Sequence, residues 1–483
     1  MPGGRPSRAN PEEILMSTPF RLLIDGALVE GASLLPVVNP ALGTPFADAP
    51  RADAALLEQA VAAANRAFPA WAARPWAERA AIVGALGDAV EARADDFARL
   101  LTQEQGKPLA EAQSEVAGTV HGFRWYAQQT LPPKVLRENE RERIVEHHVP
   151  LGVVAAITPW NFPLLLLMLK LAPALVTGNV VIGKPAPTTP LTTLLLGEVA
   201  ADLVPAGVFQ TLVDGNDLGG ALSSHPGVRH VSFTGSTATG KKVLASTADT
   251  LKRFTLELGG NDAALVLDDA DVARIAPSIF AAATVNAGQV CLATKRVYAP
   301  RALYDALCEA LGEQARAAAV GDGLEQGTRI GPVQNAAQYE KLKGFLEEAR
   351  AEGQIVAGGE VLDRPGYFIA PTVVRDLPDD ARLVREEQFG PLLPVLAYDD
   401  LEAAIAAVNS TEYGLGGTVW SGDAARGEAV AARIDSGTVW VNRFLDLPFD
   451  IPFGGAKQSG IGRQQGLEGM AEFTQVKVIN AAL

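Results

Sequence analysis

A chain of 483 residues with 48% hydrophobic content carries apolar material for two or three packed units, which excludes a single small module. Its 41 Lys and Arg against 56 Asp and Glu leave a formal charge of −15, so nucleic acid is not an expected partner and anionic membrane surfaces are disfavoured. Two cysteines exclude a disulfide framework and fit a reducing, cytoplasmic setting.

Residues 1–17 contain Pro, Gly and Arg but no apolar run, so they read as a disordered leader and not a secretory signal. Short strands are predicted over 20–29, around a turn at Asp25-Gly26, and over 34–40. Helices follow at 53–68 with Asp53 as N-cap, at 75–93, at 95–105 closed by Gly106, and at 109–129, stopped by Pro132-Pro133. Residues 141–149 alternate like an exposed strand. Neighbouring His147 and His148 would point to opposite faces there, so no metal site is expected.

From Gly152 onward apolar strands alternate with helices: strands at 153–157, 180–183, 208–213 and 230–234, helices at 164–176 and 191–203. That rhythm predicts an α/β fold with a doubly wound parallel sheet. Residues 162–183 are the most apolar stretch, but Lys170 and Pro173 interrupt it, and a membrane span needs about 20 apolar residues. It reads as a buried helix and strand, with no membrane partner. Polar clusters follow each strand: Thr158-Pro159-Trp160-Asn161, Lys184-Pro185-Ala186, Gly215-Asn216 and Gly235-Ser236-Thr237. Ligands of such sheets sit at the carboxyl ends of the strands, so a nucleotide-type site is expected there. The stretch Gly235 to Lys242 nearly matches a P-loop and fails where Lys242 replaces the magnesium-binding hydroxyl. A nucleotide-hydrolysing enzyme is therefore an alternative reading.

Residues 256–261 look like a strand ending in a hinge. A second α/β series follows, with strands at 263–267, 295–299, 373–374, 394–397, 417–420 and 438–441, and helices at 270–287 and 303–319. The closing 473–479 segment alternates, as suits edge pairing with a partner subunit. Within this series stands Asn286-Ala287-Gly288-Gln289-Val290-Cys291, a rare thiol preceded by a Gly that permits close backbone approach. No histidine lies near it on the C-terminal side, so a Cys–His arrangement has no local support; a buried structural cysteine is the alternative.

Seven segments in this order resemble the aldehyde dehydrogenase superfamily: Thr158-Pro159-Trp160-Asn161-Phe162-Pro163, Gly183-Lys184-Pro185-Ala186, Phe233-Thr234-Gly235-Ser236-Thr237, Glu257-Leu258-Gly259-Gly260, Gly288-Gln289-Val290-Cys291, Glu387-Gln388-Phe389-Gly390-Pro391 and Pro452-Phe453-Gly454-Gly455. They cover nearly the whole chain after residue 20. The resemblance implies an NAD(P)-binding domain from 18–130 and 151–256 and a catalytic domain from 257–457. It also implies a small β oligomerisation element from 131–150 and 458–483, in a homodimer or homotetramer.

By the same resemblance Cys291 attacks the aldehyde carbonyl, Asn161 with the Cys291 N–H holds the oxyanion, and Glu257 activates water against the thioester. Lys184 would hold the adenosine ribose, Ser236 the pyrophosphate and Glu387 the nicotinamide ribose beside Phe389. Gly235, Trp160, Thr158 and Gly259 complete the cofactor set. Retention of Glu257 implies hydrolysis to the free acid and not transfer to CoA. Lys170 is open between a proton relay and a snorkelling lysine, and Cys308 reads as packing.

Two positions depart from the family pattern. Pro187 stands where many NAD-preferring members have a ribose-binding Glu, so NADP stays open; NAD is favoured because no Arg or Lys is near Pro187. Leu467 replaces an acidic residue found in some members. The substrate-facing positions implied are Leu166, Leu169, Val290, Leu292, Leu447 and Phe453, which suit an apolar aliphatic or aromatic aldehyde. Arg443 and Asp446 lie in the same loop region, and a semialdehyde whose carboxylate meets Arg443 is the alternative.

Overall fold

A computed structural model describes residues 19–483, and the expected leader lies outside them. The expected doubly wound sheet is present. Its strand order is Gly460–Ile461, Arg253–Glu257, His230–Thr234, Val153–Ile157, Val180–Lys184, Phe209–Thr211. The last five are mutually parallel, and Gly460–Ile461 closes one edge antiparallel. The strands Val153–Ile157, Val180–Lys184 and His230–Thr234 are buried at every residue, which is why they read as continuous apolar runs without alternation. The register pairs Ile157 with Lys184, Phe233 with Ile157, and Thr234 with Glu257. Four strands therefore end on one line, and their loops open together.

The Pro163–Val176 helix is apolar all round because it is covered on both sides, by the sheet and by the N-terminal helices Trp76–Ala92 and Leu109–Gln128. Asp53 caps Ala54–Ala72 by accepting from the Leu56 N–H at 3.0 Å. Gly106, at φ 96°, ends Ala94–Gln105 in the left-handed conformation that glycine adopts without penalty. Among the described residues no helix is long and apolar enough to cross a membrane.

The second sheet has seven strands, ordered Gln354–Ala357, Thr372–Arg375, Leu392–Tyr398, Arg296–Pro300, Ala263–Val266, Gly416–Trp420, Thr438–Val441. All neighbours are parallel except the first pair. A third, three-stranded sheet joins Lys134–Glu138, Glu142–Pro150 and Thr474–Ala482, with Glu142–Pro150 in the centre. Residues 458–473 do not join it: Gly460–Ile461 pairs with Arg253–Glu257, and Met470 and Phe473 pack into the core of the six-stranded layer.

Several elements were not expected from the sequence. Thr44–Arg51 and Lys134–Glu138 are strands, and Ala336–Glu352, Leu401–Asn409 and Ala424–Ala431 are helices. The helix expected over 270–287 stops at Thr284 because Asn286 and Ala287 adopt positive φ. His148 meets Thr474 Oγ1 at 2.8 Å across the three-stranded sheet.

Candidate active site

Asn161 lies in the loop between Val153–Ile157 and Pro163–Val176, and two charged groups fix that loop. Glu115, on Leu109–Gln128, accepts the Leu164 and Leu165 N–H groups at 3.1 Å each, supplying the cap that the helix start lacks locally. Lys107 lies 2.5 Å from Glu115, with both side chains fully buried. Its ammonium also donates to the Asn161 carbonyl at 2.9 Å and sits 3.6 Å from the Phe162 ring centroid. The Asn161 amide then reaches forward: Nδ2 donates to the Gln289 carbonyl at 3.0 Å, and Oδ1 has no hydrogen-bond partner among the described residues. Sequence reasoning missed Lys107 and Glu115, because nothing local marks a helix cap supplied from 49 residues away.

The Cys291 stretch is held in an uncommon conformation. Asn286, Ala287 and Gly288 have φ of 50°, 54° and 72° in succession, and left-handed backbone at non-glycine residues costs about 1–3 kcal/mol each. The contacts around it hold it there. Glu111 accepts the Asn286 N–H at 2.8 Å, Asn286 Nδ2 donates to the Asn161 carbonyl at 3.1 Å, and Gln289 bridges the Asn286 carbonyl and the Gln334 N–H. A Cβ on Gly288 would lie 2.4 Å from the Gly390 carbonyl oxygen, so only glycine fits. Cys291 is partly exposed, whereas Cys308 is buried in the core of the seven-stranded layer.

Behind the thiol stands Lys295, 1% exposed, whose ammonium donates to the carbonyls of Val290 at 2.6 Å, Cys291 at 2.9 Å and Ala293 at 3.4 Å. It lies 3.9 Å from Glu387 Oε1, which also accepts the Gly260 N–H at 3.0 Å. A Cβ on Gly259 would come within 2.5 Å of the Glu387 carboxylate, so the glycine lets that side chain approach. Phe389 has φ 55° and meets Trp160 edge-on, with centroids 5.3 Å apart.

Burial sets the protonation states. Desolvation pushes Glu257 up to about 8, against the pull of Lys170 and Arg463, and neither of its carboxylate oxygens has a hydrogen-bond partner among the described residues. Lys170, fully buried and donating to Thr234 Oγ1 at 2.7 Å, is pushed down to about 7 by desolvation, with Glu257 opposing. That burial rules out the snorkelling reading. The Cys291 thiol is pushed up to about 12 by desolvation, with Lys295 acting against it.

A cavity of about 650 Å³ opens beside Cys291, Asn161 and Glu387; Glu257, Lys170 and Lys295 are not among the residues that line it. Of the expected site residues, Thr158, Trp160, Asn161, Leu166, Lys184, Gly235, Ser236, Gly259, Cys291, Glu387 and Phe389 line it. At its far end the Lys184 ammonium lies 2.5 Å from Asp214 Oδ1, a buried carboxylate that sequence reasoning did not single out. Ser236 caps the Thr237–Thr247 helix, whose N-terminus opens into the cavity. From Thr237 on, the P-loop-like stretch is already helical, so only Gly235 separates strand from cap and no loop remains to wrap a triphosphate. A cavity lined by a lysine, a helix N-terminus, a carboxylate and the thiol fits a dinucleotide.

Val290, Leu292 and Phe453 form an apolar cluster with Trp440, and Leu447, Phe162 and Cys291 pack on it. Leu169 does not join them; it is buried in the core of the six-stranded layer. Arg443 forms an ion pair with Asp446 on an exposed loop.

The sequence model of the aldehyde dehydrogenase family matches residues 28–479. The chain is 39% identical over 445 residues to aldehyde dehydrogenase LUC3 of Fusarium sp, covering 92% of this chain and 94% of that protein. It is 36% identical over 467 residues to the NADP(+) succinate-semialdehyde dehydrogenase GabD of Escherichia coli K12, covering 94% and 96%. The crystal structure of Staphylococcus aureus betaine aldehyde dehydrogenase in complex with NAD+ superposes with a TM-score of 0.94 at 32% identity, covering 97% of this chain and 96% of that one.

Proposed function

The chain belongs to the aldehyde dehydrogenase family, NAD(P)-dependent oxidoreductases, and from that premise we propose that it oxidises an apolar aliphatic or aromatic aldehyde to the free carboxylic acid. Cys291 gives up its thiol proton to water, and the thiolate Sγ adds to the carbonyl carbon, giving the thiohemiacetal as its oxyanion. The Asn161 amide and the Cys291 N–H carry the oxyanion, as preorganised donors in a desolvated site do. The cofactor, when bound, supplies the hydride acceptor that turns this adduct into a thioester on Cys291. Glu257 takes a proton from water, whose oxygen attacks the thioester and releases the acid.

Lys184, Ser236 and the Thr237–Thr247 helix start would hold the ribose and pyrophosphate. Glu387 would hold the ribose near Phe389 and Trp160, with Thr158, Gly235 and Gly259 lining the channel. NAD is the cofactor this reading favours. The oligomeric assembly, a homodimer or homotetramer, would be built on the three-stranded sheet, which exposes Val476, Val478 and Ile479.

The observation that carries this reading is Glu257: a carboxylate 4% exposed, both oxygens without a hydrogen-bond partner among the described residues, acting electrostatically on Cys291. A buried carboxylate without a partner is costly unless a mobile group such as water uses it. The substrate class rests on the apolar cluster beside Cys291 and on Arg443, whose charge is matched by Asp446. A panel of aliphatic, aromatic and carboxylate-bearing aldehydes with NAD or NADP, read by nicotinamide absorbance and by mass of the acid formed, tests the whole reading. No reduction with any aldehyde, or full activity in Cys291→Ala, would sink it.

A further inference from the structure

We propose that Lys295 is a positioning residue for the nucleophile: its buried ammonium pins the backbone turn that carries Cys291 and provides the positive charge beside which the thiolate forms. The sequence reading assigned Lys295 no role. It has no surface function, being 1% exposed, and its three carbonyl bonds all fall on residues 290–293, the turn around the thiol. Bonds from an ammonium to backbone carbonyls are stronger than neutral ones and leave little freedom to the turn they join. A structural filler could satisfy those carbonyls with any donor. A lysine there also places a full charge in a desolvated pocket, where charges act at short range with little screening.

The charges facing the thiol make that placement consequential. Glu387, Asp262 and Glu257 each disfavour its ionisation, while Lys295 acts in the opposite direction more strongly than any one of them. Cations also act on these carboxylates: Lys295 and Lys341 on Glu387, Lys295 and Arg296 on Asp262, and Lys170 and Arg463 on Glu257. Lys295 alone in that set touches the Cys291 backbone. Removing its charge would therefore leave the thiol among carboxylates with no cation on its own turn.

This inference rests on Cys291 being the nucleophile, and its test is independent of turnover. The full-length apoenzyme is alkylated with iodoacetamide across a pH series, and the Cys291 peptide is quantified by mass spectrometry, apart from the Cys308 peptide. Lys295→Gln keeps N–H donors for the carbonyls but removes the charge. The alkylation rate at each pH should fall about tenfold, the loss of thiolate that one pH unit represents, and Lys295→Arg should restore it. A wild-type rate in a folded Lys295→Gln protein overturns the proposal. If Lys295→Gln does not fold, Lys295→Arg decides: a wild-type rate supports the charge role, and a slowed rate with the charge retained overturns it. Loss of reduction in Cys291→Ala reports separately on the nucleophile itself.

Discussion

Asp214 holds a buried carboxylate 2.5 Å from the Lys184 ammonium, and its second oxygen accepts the Leu218 N–H at 2.8 Å. The two arrive from neighbouring strands of the six-stranded sheet, Lys184 at the end of Val180–Lys184 and Asp214 just after Phe209–Thr211. The lysine that faces the expected ribose site therefore carries its own counter-charge. The sequence left the cofactor open because Pro187 offers no carboxylate; Asp214 supplies one from below.

Asp214→Asn should accordingly relax cofactor choice. With the ammonium unneutralised, a 2′-phosphate gains a partner, and kcat/KM for NADP relative to NAD should rise about tenfold, ~1.4 kcal/mol of discrimination. Steady-state kinetics with both cofactors on one aldehyde measures it. An unchanged ratio would show that Asp214 only positions Lys184.

The pH profile follows from Glu257. Burial raises it to about 8, and a general base acts in its ionised form. Thioester hydrolysis should therefore climb about tenfold per pH unit below that value and flatten above it. Rapid-quench detection of the acyl-enzyme gives the deacylation rate. In Glu257→Gln the rise should vanish and the acyl-enzyme accumulate.

Gly288→Ala should harm both stability and the thiol. The position has φ 72°, and a Cβ would lie 2.4 Å from the Gly390 oxygen. The backbone term alone costs about 1–3 kcal/mol. Thermal inactivation should move to lower temperature, and iodoacetamide labelling of Cys291 should slow in the protein that remains folded.

Substrate charge should respond to Asp446→Asn. That change leaves Arg443 without its ion-pair partner beside the apolar cluster, while the Asp446 backbone carbonyl can still accept from Trp440 Nε1. Activity on a carboxylate-bearing aldehyde should rise several-fold against an apolar one of similar length. If the ratio does not move, Arg443 lies outside the substrate path.

The sheet and the ordered motifs were legible because both faces of the strands are buried, which writes them as apolar runs, and because chemistry at strand ends needs distinctive residues. Asn161, Glu257, Cys291 and Glu387 all belong to such strings. What supports them was not legible. Lys107 and Glu115 act on a loop 54 and 49 residues away, and Asp214 reaches the end of the neighbouring strand. Each looks in sequence like a charge on an ordinary helix or turn. Leu169 shows the converse error: its neighbours on an apolar helix face different surroundings, and only packing distinguishes the cavity wall at Leu166 from the core at Leu169. The helices at Ala336–Glu352, Leu401–Asn409 and Ala424–Ala431 were missed where the reading followed strands alone.

The contacts around Asn161 also bear on synthesis. Chains emerge from the ribosome N-terminus first. When Asn161 appears, Lys107 and Glu115 already exist and can seat its backbone. Its side-chain partner, the Gln289 carbonyl, follows 128 residues later, next to Cys291. Until that segment is made, five strands of the first sheet can pair without Cys291, and the sixth, Gly460–Ile461, follows later still. Elongation is thus past its midpoint before the Asn161 side chain can meet the segment that carries Cys291.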